Sequence, residues 1–459
     1  MRHLFAFFTP ILFSLATSGL TAQSWSIVGT GTLDSPDGQA TAAGINDMGQ
    51  IAGTSDVPAI SGYGANHGFF WDDSRGLVDI PPIAPNLGWG SAIDENGVVY
   101  GHTTAIGKIV AYRFENDQTI DMHPDGAYQY SKILSVNRLG VVSGSAKIQE
   151  SGWMSDPFRA YLSDGVRTNY LATFGGRDSF CYVIDDFNRI AGSAQLDTQP
   201  ISSAPFLWDG TTLHNLGSLG GNAGRVNGLT STSLGGAQDW IAVGSSLTAS
   251  LHEQAVRFDI NGSITALDGL GGLSSRAWGI NFAQQIVGQA DTPSGDPRAV
   301  LWENGVIVDL NQYLPSNSGW VLTNAVDINE LGEICGNGDY LGESMAYRLS
   351  PPSTQPLMTA VLPGIAGASS SVTGRGFSPG QKVALVYGFA LGSTPVPGFP
   401  GASLDIANAQ IAFVELANSF GRIRFHFALP PRAHNVRLFA QALDLATGEM
   451  SLVTEQTIR

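Results

Sequence analysis

One motif recurs through the middle of this chain and leaves few folds open to it. An Ile or Val, then Asn or Asp, then a turn, then an apolar pair closed by Gly, repeats from Ile45 to Gly336. Its first apolar markers are Ile45, Ile93, Val136, Ile184, Leu229, Ile280 and Ile328, spaced 48, 43, 48, 45, 51 and 48 residues apart. Each copy closes on a glycine: Gly53, Gly101, Gly144, Gly192, Gly244, Gly288 and Gly336. An aromatic-rich string follows, such as Phe69-Phe70-Trp71, Phe206-Leu207-Trp208 or Ala299-Val300-Leu301-Trp302, and after most of these comes a fourth short apolar run such as Gly76 to Ile80. A period of this length means that small units bury their faces on their neighbours.

Each unit holds four β-rich runs separated by Gly, Asn and Asp, too short for helices and too regular for loops. The ends of the array choose between an open stack and a ring. Trp25-Ser26-Ile27-Val28 reads as a fourth strand without its first three, and the seventh unit stops after its third strand at Leu349. Pairing the two fragments hides the sheet edges an open array exposes. The prediction is an all-β fold: a seven-bladed β-propeller closed by its N-terminal strand, the Ile-Asx strands innermost.

The residue after each marker is Asn46, Asp94, Asn137, Asp185, Asn281 or Asn329, with Thr230 the departure. Such side chains bond backbone N–H groups two residues on and shape a turn. Three residues later stand Gly49, Gly97, Gly140 and Gly332, with Asn188 in the fourth copy, as a position with φ > 0 demands. Gln284 breaks that pattern, and the fifth copy carries an insertion through about Asp239.

The units resemble the HAF repeats of secreted bacterial proteins. The resemblance rests on Ala42-Ala43-Gly44-Ile45-Asn46, Gln50-Ile51-Ala52-Gly53, His67-Gly68-Phe69-Phe70-Trp71, Leu216-Gly217-Ser218-Leu219-Gly220-Gly221 and Trp278-Gly279-Ile280-Asn281, and covers about residues 25 to 349. It implies an extracellular repeat protein and brings no catalytic residues with it.

Met1-Arg2-His3, an apolar stretch from Leu4 to Leu15 and small residues after it read as a secretory signal peptide over residues 1–22. The propeller is then expected over 23–350. Ser350-Pro351-Pro352-Ser353-Thr354-Gln355-Pro356 interrupts the periodicity and reads as a linker, placed at 351–357. Strand-like runs at Ser369 to Gly374, Lys382 to Tyr387, Gln410 to Leu416, Arg422 to Ala428 and Val436 to Ala442 predict a β-sandwich over 358–459. Val372-Thr373-Gly374 with Phe377-Ser378-Pro379-Gly380, and Leu438 to Asp444, resemble a C-terminal Ig-like module of secreted bacterial proteins.

With 23 Lys plus Arg against 39 Asp plus Glu, the net charge of −16 removes the usual basis for binding nucleic acid. No apolar run reaches the roughly 20 residues a membrane span needs. Cys181 and Cys335 fall on nearly opposite units, so no disulfide is expected. His252-Glu253 starts a zinc-protease pattern, but Val256 stands where the second histidine must fall, and no cofactor or metal site is expected. The Asn and Asp ring is expected to shape turns rather than hold Ca²⁺.

In the expected ring order the most variable loops share one face, and function is expected there. Tyr63, His67, Trp89, Trp153, Arg177 and Trp320 are the ligand-binding candidates, able to stack on and hydrogen-bond a sugar or peptide. The expectation is a secreted or surface-associated, non-enzymatic binding protein for a carbohydrate or protein ligand. The alternatives are a secreted carbohydrate-active enzyme, a hydrolase or lyase with carboxylates in the channel mouth, and a structural envelope component.

Overall fold

The computed structural model describes residues 25–34, 38–60, 63–83, 87–105, 107–149, 156–198, 202–231 and 239–459. The expected signal peptide, and Trp153 among the candidate ligand residues, lie outside them. The fold is all-β. Helical structure among the described residues is confined to 3₁₀ turns at Leu310–Tyr313 and Pro431–Ala433.

In the first unit Ala40–Ile45, Ile51–Ile60, Tyr63–Asp72 and Gly76–Ile80 pair in chain order as an antiparallel sheet. The later units repeat that order, the second and third being joined at one parallel bridge between Tyr130 and Ile109. In the last unit Trp320–Ile328, Ile334–Tyr340 and Glu343–Ser350 take Ser26–Gly29 as their fourth strand, with Ser26 opposite Ser350 and Gly29 opposite Tyr347. The N-terminal strand therefore hydrogen-bonds to the edge of the sheet furthest from it in sequence.

Apolar clusters form between units, as the two-faced apolar strands require. Ala52 and Phe70 of the first unit pack with Ile93, Val99 and Tyr112 of the second, and Cys335 and Ala346 of the seventh pack with Ala40, Phe69 and Trp71 of the first. Cys181 and Cys335 are buried thiols.

The Asx residues do more than turn the chain. The side-chain oxygen of Asn46 accepts from the backbone N–H of Met48 and Gln50, and Asp94, Asn137, Asp185 and Asn329 repeat both bonds. Its side-chain nitrogen donates to the next unit: Asn46 to the Asp94 carbonyl at 2.9 Å, Asn137 to Asp185 at 2.9 Å, Asn281 to Asn329 at 3.1 Å and Asn329 to Asn46 at 3.0 Å. The position three residues on is left-handed in the six copies where it is among the described residues, with φ of 71° at Gly49 and 60° at Asn188. Gln284 adopts the same conformation at φ 60°, so this copy departs in residue type while keeping the backbone.

In the C-terminal region Leu357–Met358, Ser369–Arg375 and Ile423–Ala428 form one sheet, and Gln410–Leu416, Lys382–Gly388, Arg437–Asp444 and Thr454–Thr457 another. Val372 and Phe425 from the first meet Val383, Leu385 and Ala440 from the second in one core. This sandwich docks on the Asx turns. Arg422 enters the repeat region, its guanidinium 2.6 and 2.8 Å from the two oxygens of the fully buried Glu333, and Arg424 bonds Glu95. A side chain at Gly49 would meet Arg422, because a Cβ there falls 2.6 Å from the guanidinium.

Replacing Asn329 by Asp strips the donor that reaches Asn46 and sets a second carboxylate against Glu333, now 3.1 Å from the amide nitrogen. Chemical denaturation is expected to show a loss of about 2–4 kcal/mol for Asn329→Asp. Asp94→Asn supplies a missing inter-unit donor and removes a buried charge, so it is expected to gain about 1 kcal/mol. Gln284→Gly relieves a left-handed Gln and is expected to gain about 0.5 kcal/mol in the same assay.

Candidate functional site

The inner strands converge on a common axis. All seven marker residues, Ile45, Ile93, Val136, Ile184, Leu229, Ile280 and Ile328, line one internal cavity of about 170 Å³, with the residues two places after them on the same wall. These are Asp47, Glu95, Arg138, Asp186, Ser231, Phe282 and Glu330. The markers make an apolar collar, and the second set makes a charged plug on the side of the C-terminal sandwich.

Arg138 holds the plug. Its guanidinium lies 3.1 Å from Asp47, 3.2 Å from Asp186, 3.7 Å from Glu95 and 3.8 Å from Glu330. The carboxylates also accept backbone N–H groups from neighbouring units, Glu330 N–H to Asp47 at 2.9 Å and Arg138 N–H to Asp186 at 3.0 Å. Four acids around Arg138, with Arg424 reaching only Glu95, leave unbalanced negative charge in a buried site. Burial, together with the Asp47 carboxylate, pushes Glu95 up to about 7, and burial pushes Glu330 up to about 8 against the pull of Arg138. Arg424 and His426 of the sandwich border this end, with Ser369 to Ser371, around a remaining space of about 30 Å³.

Beyond the collar, away from the sandwich, the axis opens into a cup of about 530 Å³. Its wall has a simple origin. Every inner strand carries a β-bulge at the residue two before its marker, where the pairing register skips Ala43, Ser91, Leu134, Tyr182, Asn227, Trp278 and Val326 in turn. A bulged residue is left out of the ladder and its side chain is re-aimed. All seven of these residues line the cup, joined by Trp89, His102, Arg225 and Asp327.

The polar groups of the cup are incompletely paired. Trp89 stacks on His102 with centroids 4.8 Å apart, and Arg225 lies over the Trp278 ring at 5.0 Å. His102 Nδ1, Trp278 Nε1 and Arg225 Nε are buried without a hydrogen-bond partner. Burial pulls His102 down to about 3, so its ring is neutral. Asp327 is the one carboxylate among the described lining residues; its oxygens accept from the N–H groups of Ile45 at 3.1 Å and Ile328 at 2.9 Å. Burial pushes it up to about 6.

Of the residues expected to bind a ligand whose side chains are described, only Trp89 stands in the cup. His67 is tied to Asp79 at 2.8 Å, Arg177 donates to the Asp156 carbonyl at 3.3 Å, and Trp320 packs against Tyr340 and Tyr347. Tyr63 begins a strand, and its side chain lies outside the described residues. Tyr182, Arg225, Asn227, Trp278 and His102 were not singled out from sequence for this role. The available signal was positional: counting two back from each marker finds every bulged residue.

No protein-family model matches the chain, and no curated protein matches it. Among solved structures it is similar to a fungal alcohol oxidase of the AA5 family in complex with copper, at 12% identity, 95% of this chain and 99% of that one, with a TM-score of 0.41. It is similar to TolB from Acinetobacter baumannii, at 12% identity over 70% of this chain and 64% of that one, with a TM-score of 0.36. A Trypanosoma rangeli sialidase in complex with sialic acid matches at 10% identity, 93% and 86% coverage, and a TM-score of 0.33. No helix among the described residues is long and apolar enough to cross a membrane.

The plug gives the fold a pH signature. Glu95 and Glu330 bind a proton more tightly folded than unfolded, so their contribution is complete below the ordinary carboxylate range and is lost as pH rises through 7 and 8. Glu333, held down to about 2 by Arg422 against the effect of burial, contributes above the ordinary range and is lost as pH falls. Thermal melting is expected to drop by several degrees between pH 6 and pH 9, and Glu330→Gln is expected to flatten that slope.

Proposed function

We propose that the repeats form a seven-bladed β-propeller of the HAF-repeat type, closed by its N-terminal strand and followed by an Ig-like β-sandwich. In this reading the protein is secreted or surface-associated and acts by binding, without catalysis, a ligand seated in the axial cup. The observation that carries it is the convergence of seven bulged side chains, different in every unit, on one cavity whose volume falls in the range of small-molecule sites. A framework alone needs no such variety. Ala, Ser, Leu, Tyr, Asn, Trp and Val instead give a wall with apolar, aromatic and hydrogen-bonding sectors.

The carbohydrate-active enzyme is the weaker reading. Glycoside hydrolysis generally uses two carboxyl groups flanking the bond that breaks, and Asp327 has no second carboxylate beside it among the described lining residues. Its oxygens also hold two backbone N–H groups.

The test is a glycan and peptide array with the mature protein, with hydrolysis followed in parallel. Ser91→Trp fills the cup from a bulged position and is expected to weaken binding at least about 100-fold while leaving the melting temperature within a few degrees. Turnover of any retained ligand, or binding indifferent to Ser91→Trp, overturns the reading.

A further inference from the structure

The cup has one cationic wall, and the arrangement around it selects a kind of ligand. Arg225 lines the cavity with its side chain 30% exposed. Its charge is only loosely answered. The nearest carboxylate, Glu253, lies 3.8 Å away and is engaged more closely by Arg276 Nε at 2.6 Å and the Ser245 hydroxyl at 2.7 Å. Two guanidinium groups therefore share one carboxylate, and Arg225 Nε has no partner at all.

The rest of the wall limits what an anion can be attached to. Trp278 beneath Arg225, and Tyr182 and Trp89 elsewhere in the wall, offer flat apolar surface, while Ser91 and Ser135 offer hydroxyl groups and Asn227, its amide nitrogen bonded to the Ala277 carbonyl, offers its amide oxygen. Flat faces beside small polar groups suit a hydroxylated ring. Asp327 makes a separate negative sector of the wall, its oxygens bonded to the backbone N–H groups of Ile45 and Ile328, so an anion's place in the cup is at Arg225 and not there.

Resting on the reading of the cup as a binding site, we infer that its ligand is an acidic sugar, a monosaccharide or chain end carrying a ring carboxylate that Arg225 receives. A planar guanidinium matches a carboxylate with two parallel hydrogen bonds, and a charged hydrogen bond contributes about 1.5–3 kcal/mol, equivalent to about 10- to 100-fold in affinity.

Calorimetric titration of the full mature protein with glucuronate and galacturonate, and with glucose and galactose as neutral counterparts, tests this. The acid is expected to bind at least about 10-fold tighter than its neutral partner. Arg225→Met is expected to abolish that preference, and Arg225→Lys to keep part of it, with all three proteins melting alike. If Arg225→Met melts early, the wild-type ratio of acid to neutral sugar and its decline in Arg225→Lys decide alone. Equal binding of acid and neutral sugars that Ser91→Trp abolishes overturns the inference and leaves the cup as the binding site. Binding of none of the four also overturns it, the cup itself then being judged by the array.

Discussion

The amide of the asparagine that ends four of the seven inner strands, at Asn46, Asn137, Asn281 and Asn329, is the interaction on which the rest of the repeat region depends. Its oxygen closes the local turn and its nitrogen reaches the backbone of the next unit, as between Asn46 and Asp94 or Asn329 and Asn46. One side chain thus ties the end of a strand to its neighbour's end at about 3 Å, and this fixes how far each inner strand stands from the axis. With that end pinned, the marker faces inward as collar, the residue two places on projects into the plug, and the bulge two places back projects into the cup.

The two copies with Asp in place of this Asn are reinforced by other means. Asp94 and Asp185 have no nitrogen to donate. Asp185 instead accepts from Arg189 Nε at 2.7 Å, and Arg189 Nη2 donates to Ser231 in the following unit at 3.0 Å, so an Asp–Arg pair spans the distance that an Asn spans alone. Beside Asp94, Glu95 accepts from Arg424 of the sandwich and faces Arg138. The units with an acid at the Asx position are thus supported by Arg, from the same unit or from the C-terminal sandwich. A buried pair of this sort is weak evidence of net stability, since desolvation offsets the attraction, but it fixes register because removing either partner strands a charge. The same reasoning makes Arg422 and Glu333 a positional lock between sandwich and repeats.

How much of this was legible in the sequence follows from what repeats and what does not. The strand order, the role of Trp25 to Val28 as a fourth strand, and the five longest strands of the C-terminal region follow from periodicity and turn residues, and the pairing of Ser26–Gly29 with Glu343–Ser350 agrees with them. The turn chemistry at Asn46 and its counterparts was readable because it is local. Its second bond was not, because the acceptor lies 48 residues away in the next unit. The proposed cup was not anticipated for a related reason. Variable loops drew attention to His67, Arg177 and Trp320, which bond within their own surroundings, whereas the cup is walled by strands. A bulge does not announce itself in one copy, since its side chain obeys no alternation; Tyr182, Asn227 and Trp278 share a position and nothing else.

That last point explains how the region keeps its frame while its lining varies. A residue in the ladder must satisfy a partner strand, and one in the collar must match six neighbours in size. A bulged residue answers to neither, so it changes at low cost to the strand that carries it. The cup therefore sits at the one level of the axis where each unit contributes a free choice. Below it, the markers stay aliphatic because each belongs to the apolar packing of its own unit boundary, and the plug stays charged because each carboxylate there also holds a backbone N–H or a guanidinium. With the sandwich docked over the plug, the open end of the axis is the end lined by those free choices, and the proposed recognition belongs to that end.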